Sequence, residues 1–141
     1  MKKELDEQLC KDFPLIFRDR HASMNKTCMC YGFPGDGWYD IIREICEEMM
    51  LVKKLTGIQY IADQVKEKFG TMRFYYHSDG RPTKLTTLER IKWDDYMWSY
   101  ISDKEAESGE TCEVCGEKGR RRSGSWILTL CDKCDAERNK K

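Results

Sequence analysis

Ile58-Gln-Tyr-Ile-Ala-Asp-Gln-Val-Lys-Glu-Lys-Phe-Gly70-Thr-Met-Arg-Phe-Tyr-Tyr-His77 reads as a β-hairpin, and the rest of the chain is organised around it. In the second arm Met72, Phe74 and Tyr76 fall on one face and Arg73, Tyr75 and His77 on the other, which is the period of a half-buried strand. Phe69-Gly70-Thr71 supplies the turn. The first arm is less distinctive, because Ala62–Glu67 also tolerates a helix.

Upstream, Tyr39, Ile42, Ile45, Cys46, Met49 and Val52 recur every three or four residues, which is one buried helical stripe. The spacing places Asp36 as the N-cap, Asp40 near the positive end of the helix dipole and Gly57 at the exit. Downstream, Asp79-Gly80-Arg81-Pro82 is a loop, and Thr86-x-x-Glu89 has the form of a capping box. It opens a long helix to about Glu107, closed by Ser108-Gly109. The apolar residues of that helix spread over more than one stripe, so it is expected to touch the core and something else, such as a C-terminal module. Residues 1–34 form a loosely patterned leader, anchored by Phe13, Leu15, Ile16 and Phe17, with a loop over Met24–Tyr31.

With 141 residues, 40% of them hydrophobic, the chain can bury a modest core. Lys+Arg and Asp+Glu both number 25, so any electrostatic recognition has to be local. No apolar run approaches the ~20 residues of a membrane-spanning helix. Met1–Glu7 has no signal-peptide core, so a cytoplasmic protein is expected.

Four of the eight cysteines fall in the pattern Cys112-Glu-Val-Cys115-Gly116 … Cys131-Asp-Lys-Cys134. Each Cys-x-x-Cys lets two thiolates converge on one ion, and Gly116 permits the tight knuckle that aims backbone N–H groups at sulfur. The spacing predicts one structural zinc ion. Ser123-Gly124-Ser125 suits a turn, Trp126–Leu130 a strand, and Asp135–Lys141 a short helix, the order of a treble-clef finger, which this segment resembles. Zinc-containing HNH nucleases share that finger but place their catalytic histidines in it, and Cys112–Lys141 contains no histidine. Four thiolates close the coordination sphere, so the metal is expected to be a staple, with no catalytic residue assigned. The expected architecture is α+β: a small antiparallel sheet packed by two helices over 35–109, with a treble-clef-like zinc finger over 110–141.

Two groups of side chains are candidates for ligand or partner binding. Lys66, Lys68, Arg73 and Tyr75 share or border one hairpin face, where they offer a cationic, aromatic surface or a merely solvated strand. Lys118, Arg120, Arg121 and Arg122 form a basic run beside Trp126. That run either contacts phosphate, with the indole stacking on a base, or offsets the charge of about −2 on a four-thiolate zinc centre. Gly35-Asp36-Gly37-Trp38 allows tight backbone approach or is a plain helix start with a buried tryptophan. Cys28 and Cys30, with Cys10, Cys46 and His21, are a weaker second set of metal ligands. His77 has no acid or nucleophile partner in the sequence, and Glu47-Glu48 and Asp94-Asp95 suit solvent-facing helix positions.

Met29-Cys-Tyr-Gly-Phe33, Gly35-Asp-Gly-Trp38, Gln64-Val-Lys-Glu-Lys-Phe-Gly70, Arg73-Phe-Tyr75 and the cysteine pairs together resemble a family of small, uncharacterised bacteriophage and prophage proteins. The resemblance spans most of Met29–Cys134, and Thr71-Met72 departs from the Gly-Leu or Thr-Leu more usual there. It implies a protein made in an infected bacterium that acts on host factors, defence systems included. The expectation is a non-enzymatic binding protein for a host protein or an anionic nucleotide signal. Nucleic-acid binding by the finger and an enzyme with an unrecognised site are the alternatives. Nucleotide sequestration predicts a concave pocket lined by some of Lys66, Lys68, Arg73 and Tyr75.

Overall fold

The computed structural model describes residues 1–140. The fold is α+β. Helix α1 spans Lys3–Asp12, α2 Tyr39–Thr56, strands β1 Tyr60–Lys68 and β2 Thr71–Ser78, and α3 Thr87–Ser108. Strands β3 Arg120–Arg122 and β4 Leu128–Leu130 and helix α4 Asp132–Asn139 make up the C-terminal unit. Short 3₁₀ turns lie at Cys28–Tyr31 and Asp36–Trp38.

The β1–β2 hairpin is the centre of the molecule, and both arms are strands. Pairing with β2 decides the first arm against helix, since it buries Val65 opposite Phe74. Arg73 lies opposite Lys66 and Thr71 opposite Lys68, and a bulge at Asp63 shifts the register near the far end. The loop is the two-residue Phe69-Gly70, with φ of 53° and 85°. Both are left-handed, as the tightest hairpin turns require, although phenylalanine rarely accepts that conformation.

Helix α2 buries Ile42, Ile45, Cys46, Met49 and Val52 as the spacing predicts, and Gly57 ends it in the left-handed conformation. Its N-cap differs from expectation. Asp36 sits inside the preceding 3₁₀ turn, and its carboxylate accepts the backbone N–H of Lys2 at 2.7 Å. Helix α3 starts at the capping box of Thr86 and Glu89. It turns Met97 and Ile101 into the core and closes the free edge of β2. The Met72 N–H donates to Ser108 Oγ and the Phe74 N–H to Glu105 Oε2, both at 2.8 Å. Two edge amides are thereby satisfied without a third strand.

The N-terminal segment is more ordered than a loose leader. Helix α1 packs through Leu9, and ion pairs clamp it: Arg20 to Asp6 and Arg43 to Asp12, each at 2.7 Å. Phe13, Ile16 and Phe17 are buried as expected, whereas Leu15 points outward. Among the described residues no helix is long and apolar enough to cross a membrane.

Candidate functional site

The Cys112–Gly116 knuckle folds because Gly116 takes φ of +83°, so that its N–H reaches the Cys112 carbonyl at 2.9 Å. The second pair opens α4: Cys131 is the N-cap, and its sulfur accepts the Cys134 N–H at 3.4 Å. The sulfurs of Cys112, Cys115, Cys131 and Cys134 all lie within 4.8 Å of one another, and Cys115 to Cys131 is 3.7 Å. Tetrahedral ligation at ~2.3 Å per bond places sulfurs about 3.8 Å apart, so the four fit one metal ion. None is in a disulfide.

The electrostatics agree with a cation site. Burial raises the Cys112 thiol, but backbone N–H groups of Cys131, Cys115 and Val114 outweigh it and bring it to about 7. Burial first, and then the neighbouring thiols, push Cys134 far up. The geometry thus favours a first thiolate and resists further ionisation until a cation compensates the charge. Among the described residues this is the one cluster of three or more His, Cys, Asp or Glu with ligand atoms close enough to share an ion. Cys28 is exposed, Cys46 is buried in the α2 stripe, and Cys10 contacts Asp6, so the second set of candidate ligands does not assemble.

Gly35-Asp36-Gly37-Trp38 is where the core receives the knuckle. The Gly37 N–H donates to the Glu113 carbonyl at 3.0 Å, and Trp38 Nε1 donates to the Thr111 carbonyl at 2.9 Å. A Cβ on Gly35 would lie 2.2 Å from Glu113 O, and one on Gly37 1.9 Å from Cys112 O. Both readings of this motif hold: it leads into α2 with its tryptophan buried, and its glycines admit a tight approach of the backbone of Cys112 and Glu113. Trp38 is wholly buried beneath it.

A second seam joins the finger to the hairpin turn. Thr129 Oγ1 donates to the Gly70 carbonyl at 2.5 Å, and a Cβ on Gly70 would meet Thr129, Arg121 and Ile127. The turn is therefore pressed against the β3–β4 hairpin, and the two predicted binding groups are partly merged. Lys66, Lys68 and Trp126 border one hollow of about 410 Å³, together with Glu67, Phe69, Ser125 and Ile127. Arg121 flanks it beside Gly70.

The other candidates are sorted differently. Lys68, Arg73 and Tyr75 line an open groove of about 1120 Å³ between β2 and α3, but Asp63, Asp94 and Glu105 line it too. That concavity is of mixed charge, and Lys66 is not part of it. Arg122 is only 10% exposed; it donates to the Leu130 carbonyl and pairs with Asp132 and Asp135, so it braces the finger and is not free for a ligand. Arg120, one residue from Arg121 on β3, falls on the opposite face of that strand. His77 does have an acid partner: Nδ1 lies 2.7 Å from Asp63 Oδ1 across the hairpin. Phe69 escaped sequence reasoning, although a bulky residue before glycine in a two-residue turn, where asparagine is usual, was a visible signal. No protein-family model, no curated protein and no solved structure matches the chain.

Proposed function

We propose that this is a non-enzymatic binding protein, stapled by one structural zinc ion, whose junction of hairpin turn and finger engages an anionic partner in an infected bacterium. The observation that carries the reading is the convergence of Lys66, Lys68 and Phe69 of the hairpin with Trp126 of the finger on one hollow across the seam. Cations beside exposed aromatic rings suit a ligand that is both charged and planar, which a nucleotide is. Zinc is the metal that four thiolates at tetrahedral spacing favour, and a closed thiolate shell gives it a structural role. Its ligation holds the finger, and through Gly37 and Thr129 the finger fixes the position of the hollow. The phage-like motifs point the same way, toward a host nucleotide signal or the factor that carries it, with counter-defence as the biological setting.

Native mass spectrometry of the protein purified from bacterial cells tests this. One zinc ion per chain and a co-purifying anionic ligand are expected, with Lys66→Glu/Lys68→Glu losing the ligand and keeping the metal. A chain without zinc, or a bound ligand indifferent to that double substitution, would refute the reading.

A further inference from the structure

The hollow at the turn has three features that a generic anion site does not need. Phe69 holds a left-handed φ of 53° while the residue is 63% exposed, so burial of its own side chain does not compensate the backbone conformation. An outlier of this kind on an exposed aromatic points to use by a ligand. Trp126 is 66% exposed on the facing loop, and its carbonyl accepts Arg138 Nη2 at 3.4 Å, which anchors the loop from α4.

The second feature is the charge pattern. Arg122 and many other cations of the chain are engaged in ion pairs, whereas Lys66, Lys68, Arg73 and Arg121 form none among the described residues. Lys66 lies opposite Arg73, and Lys68 is two residues along the same face of the strand. Same-face neighbours on a strand stand about 6.6 Å apart, comparable with the spacing of phosphates along an extended polynucleotide. Third, the four cations continue from the sheet face past Gly70 to Arg121, a track longer than one nucleotide. The larger β2–α3 groove, which Lys68 and Arg73 also line, carries Asp63, Asp94 and Glu105, whereas the hollow carries one carboxylate, Glu67, which accepts the Gly70 N–H at 2.9 Å.

We infer that the hairpin–finger junction binds single-stranded nucleic acid, with unpaired bases stacking on Phe69 and Trp126 and phosphates following Lys68, Lys66, Arg73 and Arg121. This rests on the anionic-partner reading above and names the ligand class. A duplex presents no free base face to these rings, so the site discriminates by strandedness, not by sequence.

Fluorescence anisotropy with labelled oligothymidylate and oligouridylate of about twelve nucleotides, and with a duplex of the same length, tests it. Both single strands are expected to bind, and the difference between them reports any preference for ribose or deoxyribose. Four neutralised phosphates give a salt slope of about −2.8, so affinity should fall about 50-fold from ~50 to ~200 mM salt. Phe69→Ala and Trp126→Ala should each weaken binding at least about five-fold, and the duplex should bind at least about ten-fold more weakly. Zinc content and melting temperature of the variants, unchanged because both rings are exposed, separate lost stacking from lost fold. Absent binding at ~50 mM salt, duplex binding equal to single-strand binding, or indifference to both aromatic substitutions would each overturn the inference. If the oligonucleotides fail while a co-purifying ligand is still lost in Lys66→Glu/Lys68→Glu, this inference falls and the broader reading stands.

Discussion

Replacing Gly37 by alanine adds one methyl group at the contact between core and knuckle. Its carbon would sit 1.9 Å from Cys112 O, 2.6 Å from Gly116 N and 2.8 Å from Glu113 C. All three are backbone atoms of the loop that carries two metal ligands, so no side-chain rotation relieves the clash. Either the knuckle lifts away or the 3₁₀ turn shifts. Both break the Gly37–Glu113 and Trp38–Thr111 hydrogen bonds and wet a fully buried tryptophan. Overpacking alone costs roughly 1–3 kcal/mol, and two hydrogen bonds add about 1 kcal/mol each. A total of about 3 kcal/mol or more lowers the melting temperature by about 10 °C and weakens zinc binding by about two orders of magnitude. Thermal unfolding with and without a chelator, and competition with a zinc-binding dye, would measure both. With the metal removed, wild type and variant should converge, because the knuckle is then no longer fixed. Gly80→Ala is the control, since its Cβ meets nothing within 4 Å and only its positive φ is strained. A Gly37→Ala protein that melts within ~2 °C of wild type and binds zinc equally well would refute this account of the seam.

Chelation of the metal should lower the melting temperature of the whole chain in a single transition, because Trp38 of the core loses its Thr111 partner when the knuckle opens; two separate calorimetric transitions would contradict this. Tyr60→Phe removes a 2.6 Å bond from the hydroxyl to Asp94 and should cost about 1.5 kcal/mol in chemical denaturation. Burial and Asp94 raise the Tyr60 pKa, so its contribution is intact below the unfolded value near ~10 and declines as pH rises above it. Alkaline unfolding should accordingly be shallower in Tyr60→Phe. Arg122→Ala should weaken metal binding but keep oligonucleotide affinity near wild type once zinc is saturating, whereas Arg121→Ala should weaken oligonucleotide binding with metal affinity unchanged; metal competition and anisotropy at saturating zinc separate the two.

The hairpin, the α2 stripe, the capping box and the cysteine pairs were legible because each is written in local spacing. Met72, Phe74 and Tyr76 need only a period of two, and Cys131 and Cys134 only a helix start. What escaped depends on partners far along the chain. Helix α1 has Leu9 as its only buried residue and is held by Arg20 and Arg43, so its pattern is weak. Asp36 has the side chain of an N-cap, but it lies inside the 3₁₀ turn before α2 and accepts the Lys2 N–H instead. The bulge at Asp63 sets which residue faces His77, and no alternation rule predicts a bulge. Arg121 and Arg122 are indistinguishable as letters; strand parity sends one to the turn and the other into an acidic brace.

The indole–carbonyl bond from Trp38 to Thr111 spans 73 positions of the chain. A growing polypeptide therefore carries its central tryptophan without this partner through the making of α2, the hairpin and α3, and the partner arrives only with the segment that holds the cysteine pairs. If the four thiolates hold the zinc ion proposed above, completing the interior waits on metal supply as well as on synthesis, and a cell short of zinc would accumulate full-length chains with an open knuckle.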